Sequence, residues 1–460
     1  MLVKKKTEVN MTNGNLFSKL LLVSFPLILS GILQLLYNAA DLIVCRMFGS
    51  GEHSSGAISS TNPLINLIIN LFLGLSIGAN VLMARSYGEN NKEKGQRIVY
   101  TSMIFALFSG VFLGIFGFSF SKIFLRWMGA PSDVIDLSTL YLKIYFIGLP
   151  FSMIYNFGSS ILRALGDTKR PFYILALSGI FNVLLNLLLV IVFNLDVAGV
   201  AIGTIAAQAI SSVLIIICLV KNKGFIHFSF KEIRFYKKEA LEMIKIGIPA
   251  GIQGTIFSLS NVLIQSSING LGADIMDGNG ASSSLEGFVY VAMNSVAASC
   301  VAFVSANYGA RNKENIKKVV IYSAIIVVLM NIVTGGIILL LQNQLLPLYV
   351  STDEAIQAAK MRLIIIATTY FTCGLMDTMA YALRGIGYSI TPTIISLIGA
   401  CGLRIVWILT VFKIDYFHNI RGLALSYPIS WVITLLTHLI VFLVLFSKIR
   451  FKSDKIVQVN

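Results

Sequence analysis

Charge is what this chain has least of. Only 12% of its 460 residues are Asp, Glu, Lys or Arg, about half the share carried by an ordinary soluble domain. A surface that poor in charge excludes a conventional cytosolic enzyme, and 56% hydrophobic residues exclude an extended disordered chain. Acidic groups are the scarcer sign, 21 against 36 basic ones, for a formal balance of +15. In so apolar a chain this excess argues against a nucleic-acid binder and for basic loops gathered on one face of a membrane. Cysteine is sparse and odd in number: Cys45, Cys218, Cys300, Cys373 and Cys401 all lie in or beside apolar runs. Without a CxxC pair they support neither a disulfide framework nor a zinc site, and they read as small buried apolar residues. There is also no HExxH, no P-loop and no phosphate-cradling fingerprint.

Long apolar runs are abundant. A helix needs about 20 mostly apolar residues to cross a bilayer core, and twelve such stretches occur. They cover 17–45, 57–84, 98–125, 134–162, 171–193, 199–220, 240–271, 284–307, 318–347, 358–383, 391–412 and 422–447. None alternates polar and apolar residues in the manner of a barrel strand. The expected fold is therefore an all-α polytopic membrane protein with twelve transmembrane helices. Lys4, Lys5 and Lys6 precede the first span, and no small-residue cleavage site follows a short apolar core. That span is expected to be a retained helix. With the N-terminus placed inside, 27 of the 36 Lys and Arg fall in the tails and inward loops. This asymmetry predicts a cell-membrane protein with both termini in the cytoplasm.

The longest hydrophilic stretch joins spans six and seven, with a run from Lys221 to Gly224 and another from Lys231 to Lys238. It divides the chain into a cytoplasmic tail (1–16), an N-lobe (17–220), a basic connector (221–239), a C-lobe (240–447) and a second cytoplasmic tail (448–460). The connector is expected to lie on the anionic inner leaflet.

The two lobes repeat one another. Pro26, Gly31, Asn38 and Gly49 recur 223 residues later as Pro249, Gly254, Asn261 and Gly272. Tyr87-Gly88 with Asn91-Lys92-Glu93 recurs 221 residues later as Tyr308-Gly309 with Asn312-Lys313-Glu314. Leu162-Arg163, Gly166 and Pro171 return at the same offset as Leu383-Arg384, Gly387 and Pro392. An even number of helices per lobe makes these parallel repeats, related by an axis along the membrane normal. Two such bundles facing each other across a cleft suit alternating access.

Phe25-Pro26-Leu27-Ile28-Leu29-Ser30-Gly31, running on to Tyr37-Asn38-Ala39-Ala40-Asp41, resembles the first helix of the multidrug and toxic compound extrusion (MATE) family. So does the run from Ile161 to Pro171. Asn182, Asn186 and the stretch from Val197 to Thr204 are similar to the family's fifth and sixth helices. The likeness covers all twelve spans, is strongest in the first half, and is closer to the bacterial DinF-like branch than to the vibrio-type branch. It implies a multidrug efflux antiporter: export of organic, often cationic, compounds coupled to H+ or Na+, with no other cofactor and no enzymatic activity. The expected partners are small organic cations and the lipid bilayer, with no nucleic acid, and the expected state is a monomer.

Asp41 lies deep in the first span, where an ionisable group costs several kcal/mol unless paired or protonated. Gln34, Asn38 and Asp41 stand at i, i+4 and i+7, one face of a helix, with Tyr37 at its border. Asn182 and Asn186 share a face of span five, and Thr204 lies in span six. One carboxylate and several neutral oxygens suit a proton site or a hard monovalent cation. The resemblance points to the same four residues, Asp41, Asn182, Asn186 and Thr204, as the coupling site, where Na+ is one candidate occupant. Several family members carry Asp at the position of Asn186, so this chain has one carboxylate fewer. The lesser alternative for the two amides is to hold helices together. Tyr37, Tyr155, Asn156, Gln34 and Asn38 are candidates for the substrate cleft. In the C-lobe some relatives carry Glu near the position of Phe257, and this chain does not. Asp377 in span ten and Arg404 in span eleven form either a buried ion pair or, through Asp377, a second cation or substrate site.

Two rival functions share some of these features. A lipid-linked oligosaccharide flippase of the same superfamily would need a cationic central cavity. More remotely, Gly74-Leu75-Ser76-Ile77-Gly78 matches the hydrolase pattern G-x-S-x-G and raises an intramembrane serine protease. No strand-to-helix elbow surrounds it, His438 is the only histidine within a span, and small residues at this spacing also permit close helix packing.

Overall fold

Twelve apolar helices carry the chain back and forth in the computed structural model, which describes residues 8–48, 54–128 and 134–451. Lys4, Lys5, Lys6, Gly49 and the tail from 452 onward lie outside the described residues. The helices are α1 (Leu16–Phe48), α2 (Ser54–Gly88), α3 (Lys92–Trp127), α4 (Ile135–Ile147 with Leu149–Ala164), α5 (Lys169–Val192) and α6 (Asp196–Val220). After the connector come α7 (Lys237–Asn269), α8 (Ala273–Gly309), α9 (Lys313–Leu345), α10 (Asp353–Gly385), α11 (Ile390–Lys413) and α12 (Ile420–Lys448). The pieces of α4 bend by 49° where Gly148 meets Pro150, because proline has no N–H to continue the helix and crowds the residue before it. The first turns of α8 are the main departure from the expected spans. The helix begins at Ala273, well before 284, because its polar start finds partners: Thr352 Oγ1 donates to Asp274 at 2.6 Å, and Asn279 Nδ2 donates to Gln265 at 3.3 Å.

The repeated motifs are turn chemistry. Asn91 and Asn312 are the N-caps of α3 and α9, accepting from the backbone N–H of Lys94 at 2.9 Å and of Asn315 at 3.0 Å. Gly166 and Gly387 take φ of 78° and 105°, which an L side chain adopts only with strain. The duplication thus preserved the residues that stop one helix and start the next.

The lobes meet through α2, α7 and α8. Gly74 and Gly78 of α2 face Gly247 and Gly251 of α7 so closely that any Cβ at Gly74 or Gly78 would collide with the opposing backbone. Here the G-x-S-x-G pattern finds its role as a small-residue crossing. Further contacts tie Asn70 Nδ2 to Ser258 Oγ at 3.2 Å and Ser24 Oγ on α1 to Ser299 Oγ on α8 at 2.9 Å. The glycine crossing and the Ser24–Ser299 bond lie in the half of the bundle nearer the chain ends, and the Asn70–Ser258 bond lies just past its middle. In the far half of α7, Asn261, Val262 and Leu263 are all exposed. Three consecutive residues span some 200° of a helix, so both its lipid side and its lobe-facing side are uncovered there. Asn261 there lines the cavity that α7 shares with α2.

A short N-terminal stretch closes the face that bears the termini. Met11 is fully buried, and its carbonyl accepts from Asn307 Nδ2 of α8 at 2.9 Å. Thr12 O accepts from Asn315 Nδ2 of α9 at 2.6 Å, and Glu8 accepts from Asn222 Nδ2 beyond α6 at 3.3 Å. Residues 8–12 thereby bridge both lobes. Asn307→Leu is expected to cost about 1–3 kcal/mol through the lost buried bonds. Its measure is a fall of a few degrees in the temperature at which the five buried free cysteines become reactive.

The connector behaves differently in its two parts. Phe225, Ile226 and Phe228 are buried against the protein, and His227 N donates to Gln96 Oε1 of α3 at 3.0 Å. Only the second part, with exposed Phe230, Ile233 and Phe235 among Lys231, Arg234 and Lys237, has the mixed basic and apolar character that suits a lipid surface.

Candidate functional site

Each lobe encloses its own polar pocket. In the N-lobe the stripe on α1 meets α4, α5 and α6 around a cavity of about 180 Å³ lined by Gln34, Tyr37, Asn38, Asp41, Tyr155, Asn156, Asn182 and Thr204. Asn186 completes it from α5: its Nδ2 donates to Asp41 Oδ1 at 2.6 Å, while its own Oδ1 is buried and unpartnered among the described residues. Gly203 of α6 makes room for that amide, since a Cβ there would run into Asn186 Oδ1. Asn182 Nδ2 donates to Thr204 Oγ1 at 3.3 Å, and Thr204 Oγ1 donates to Val200 O at 2.9 Å. Leu188–Val192, two residues after Asn186, is wound as π-helix, a local widening often found near functional residues.

The remaining N-lobe candidates border the same pocket as wall groups. Tyr37 OH donates to Ala176 O at 3.2 Å, Tyr155 OH to Pro171 O at 3.1 Å, and Asn156 Nδ2 to Ser152 O at 2.9 Å. All the residues singled out in this lobe are thus brought together, around a single carboxylate.

The C-lobe cavity is larger, about 540 Å³, and reaches to α2 of the other lobe. Asn261 and Asp377 line it at the positions equivalent to Asn38 and Asn156 in the N-lobe pocket. The position equivalent to Asp41 is Ile264, which is buried. Asp377 and Arg404 both reach this cavity, but among the described residues no ion pair joins them. Tyr290 OH donates to Asp377 Oδ2 at 3.4 Å, whereas Arg404 donates through Nε to Ser430 Oγ at 2.9 Å and stacks over Tyr427. The paired arrangement is therefore corrected. The buried ion pair of this lobe is Glu286 of α8 with Arg362 of α10, joined by two bonds of 2.8 Å each. Sequence reasoning missed it because Glu286 stands at the very start of the apolar run and passes for a loop residue. Opposite charges in spans eight and ten were the available signal.

Arg384 also departs from expectation. Counted among inward-loop cations, it is 4% exposed, bonded to Gln253 Oε1, and part of the cavity wall. The last turn of α10 carries it back into the bundle. Ser76 Oγ donates to Leu73 O at 2.7 Å, and His438 Nε2 lies 3.2 Å from Pro392 O. Among the described residues no bond links Ser76 to His438, so the protease constellation is not assembled.

Comparison with known proteins extends these observations. The sequence profile described as MatE matches residues 26–188 and 249–410, one match in each lobe. The chain is 27% identical over 427 residues to YoeA, a probable multidrug resistance protein of Bacillus subtilis, spanning 89% of this chain and 90% of that one. YpnP, another probable multidrug resistance protein of the same organism, is 30% identical over 308 residues, 66% of this chain and 68% of its own. A solved MOP superfamily transporter from Pyrococcus furiosus has the same fold, with a TM-score of 0.90 at 20% identity over 96% of this chain and 99% of that one.

Proposed function

The chain belongs to the MatE family of multi-span membrane transporters, and on that footing we propose that it exports organic compounds, drugs among them, in exchange for H+ or Na+. The observation that carries the coupling is Asp41, held by Asn186 and surrounded by the oxygens of Asn38, Asn182 and Thr204 inside the N-lobe pocket. A carboxylate inside the hydrocarbon core changes its desolvation cost when a small cation neutralises it. Such a change alters how α1 packs on α5 and α6, and so the balance between two lobe arrangements. One carboxylate with amide and hydroxyl oxygens suits either ion.

We place both termini in the cytoplasm of a cell enveloped by its plasma membrane, from the distribution of basic residues. The cleft then opens outward, and the seam around residues 8–12 and the α2–α7 crossing seal the inner face. In this arrangement the cation enters from outside. One positive charge descending 100 mV releases about 2.3 kcal/mol, which drives the return through the inward-open arrangement and leaves substrate outside.

The test is export from loaded proteoliposomes with the proton and sodium gradients collapsed one at a time. Export is expected to stop with one of the two gradients and to survive loss of the other. Export that survives the loss of both overturns the antiport reading.

A further inference from the structure

The coupling scheme uses the N-lobe pocket and leaves the larger C-lobe cavity without a role. Its volume, about 540 Å³, falls within the range of roughly 300–1,000 Å³ typical of drug-sized ligand sites. One wall is aromatic. The rings of Tyr290 and Tyr370 stack at 6.1 Å, those of Tyr370 and Trp431 at 5.1 Å, and Tyr427 meets Trp431 edge-on at 5.6 Å. An aromatic wall of this kind favours a planar aromatic group over an alkyl chain.

The charges are unbalanced. Arg404 is 3% exposed and centred 4.3 Å over the Tyr427 ring, yet among the described residues its one hydrogen bond is the Nε contact to Ser430. Its terminal amino groups are left for the cavity that it lines. Arg384 bonds Gln253 through one terminal nitrogen and keeps a buried Nε without a partner. Against these two guanidinium groups stands the single carboxylate of Asp377, which accepts only from Tyr290 and pairs with neither arginine among the described residues. The neighbouring Arg362 contributes nothing to the balance, because Glu286 neutralises it. A guanidinium out of water and without a counter-charge is costly to hold, and it offers a fork of donors matched to a carboxylate or phosphate. The turn Leu397–Gly402, which ends two residues before Arg404, is wound as π-helix, the kind of local distortion that often attends functional residues.

We propose that this cavity binds a planar aromatic anion, with its ring against the Tyr290–Tyr370–Trp431 wall and its carboxylate or phosphate on Arg404. The inference rests on the exporter reading only in naming that anion as cargo, and it replaces the cationic compounds that the family resemblance implies as the preferred class. Arg384 and Asp377 line the same cavity, and two guanidinium groups against one carboxylate favour a ligand with one net negative charge.

Binding to the purified full-length protein in lipid nanodiscs tests this at equilibrium, with no gradient present. Fluorescein and rhodamine 6G share a ring system but carry opposite charge. Flavin mononucleotide and riboflavin share a ring and differ by a phosphate. At least one anionic member is expected to bind ten-fold or more tightly than its cationic or neutral counterpart, and the ranking of fluorescein against flavin mononucleotide separates carboxylate from phosphate recognition. Arg404→Met, which keeps the stacking volume, is expected to abolish that preference, and Arg404→Lys to restore part of it. Asp377→Asn is expected to tighten anion binding several-fold, which decides the matter even if the Arg404 variants fold poorly. Failure of both fluorescein and flavin mononucleotide to bind more tightly than their counterparts, or unchanged anion binding in a stably folded Arg404→Met protein, overturns the proposal. Because binding is read without a gradient, export insensitive to both cations defeats the antiport reading and leaves this one standing.

Discussion

Asp41→Asn is expected to export downhill at most, and to lose all accumulation of substrate against its gradient. Asparagine has the shape of aspartate, and its amide oxygen still accepts from Asn186 Nδ2, the bond that measures 2.6 Å in the native pocket. The helices should therefore pack as before. What disappears is the group that can carry a charge and lose it. A single coupled charge at 100 mV is worth about 2.3 kcal/mol, or about a fifty-fold concentration ratio for a neutral substrate. In the variant that ratio should collapse to about one. Proteoliposomes with an imposed cation gradient, loaded with a fluorescent substrate, read the ratio directly. A variant that still builds a substrate gradient means that the driving ion binds elsewhere, and the C-lobe carboxylate Asp377 becomes the next candidate.

Glu286→Ala is expected to destabilise the C-lobe more than any other single change considered. Glu286 and Arg362 are both nearly inaccessible, share two bonds of 2.8 Å, and are supported by Ser282 Oγ, which donates to Glu286 at 2.7 Å. Removing the carboxylate leaves Arg362 as a buried cation over the Tyr427 ring, 5.0 Å from its centre. Breaking one partner out of a buried pair costs about 3–5 kcal/mol, whereas replacing both by apolar residues of similar volume is often close to neutral. Glu286→Leu combined with Arg362→Met should therefore recover most of the loss. The midpoint of thiol labelling against temperature measures both proteins, since all five cysteines are buried and free. A double variant no more stable than Glu286→Ala would show that the ion pair itself, and not the stranded charge, holds this lobe together. Tyr427 lies under both Arg362 and Arg404, so the same variants also report whether the pair positions the cavity wall.

The legible part of the site is the part written along single helices. Gln34, Asn38 and Asp41 fall on one face by spacing alone, and Asn182 with Asn186 likewise; the structure then places those two faces against each other. Asp377, Arg384 and Arg404 illustrate what spacing does not convey. Each was visible as a charge in or near a span, yet Asp377 and Arg404 form no ion pair, and Arg384 turned from a loop cation into a cavity group. Charges on different helices meet or miss according to the rotation of each helix about its axis, and that rotation follows from packing. The start of α8 carries the same lesson for the fold. Hydropathy ends the span at 284, whereas polar partners on α7 and beside α10 extend the helix back to Ala273.

By itself the sequence determined a duplicated, twelve-span membrane chain with a carboxylate deep in its first helix. Those features depend on apolar length, on a fixed repeat offset and on helical periodicity, all of which are local. Only the tertiary structure decided that the glycines of α2 and α7 bring the lobes together in the half bearing the termini, that Glu286 neutralises Arg362, and that two arginines and one aspartate line the same aromatic cavity. The physical reason is that a buried charge takes its character from the neighbours that close-packed helices bring within a few ångströms, and those neighbours lie a hundred or more residues away along the chain.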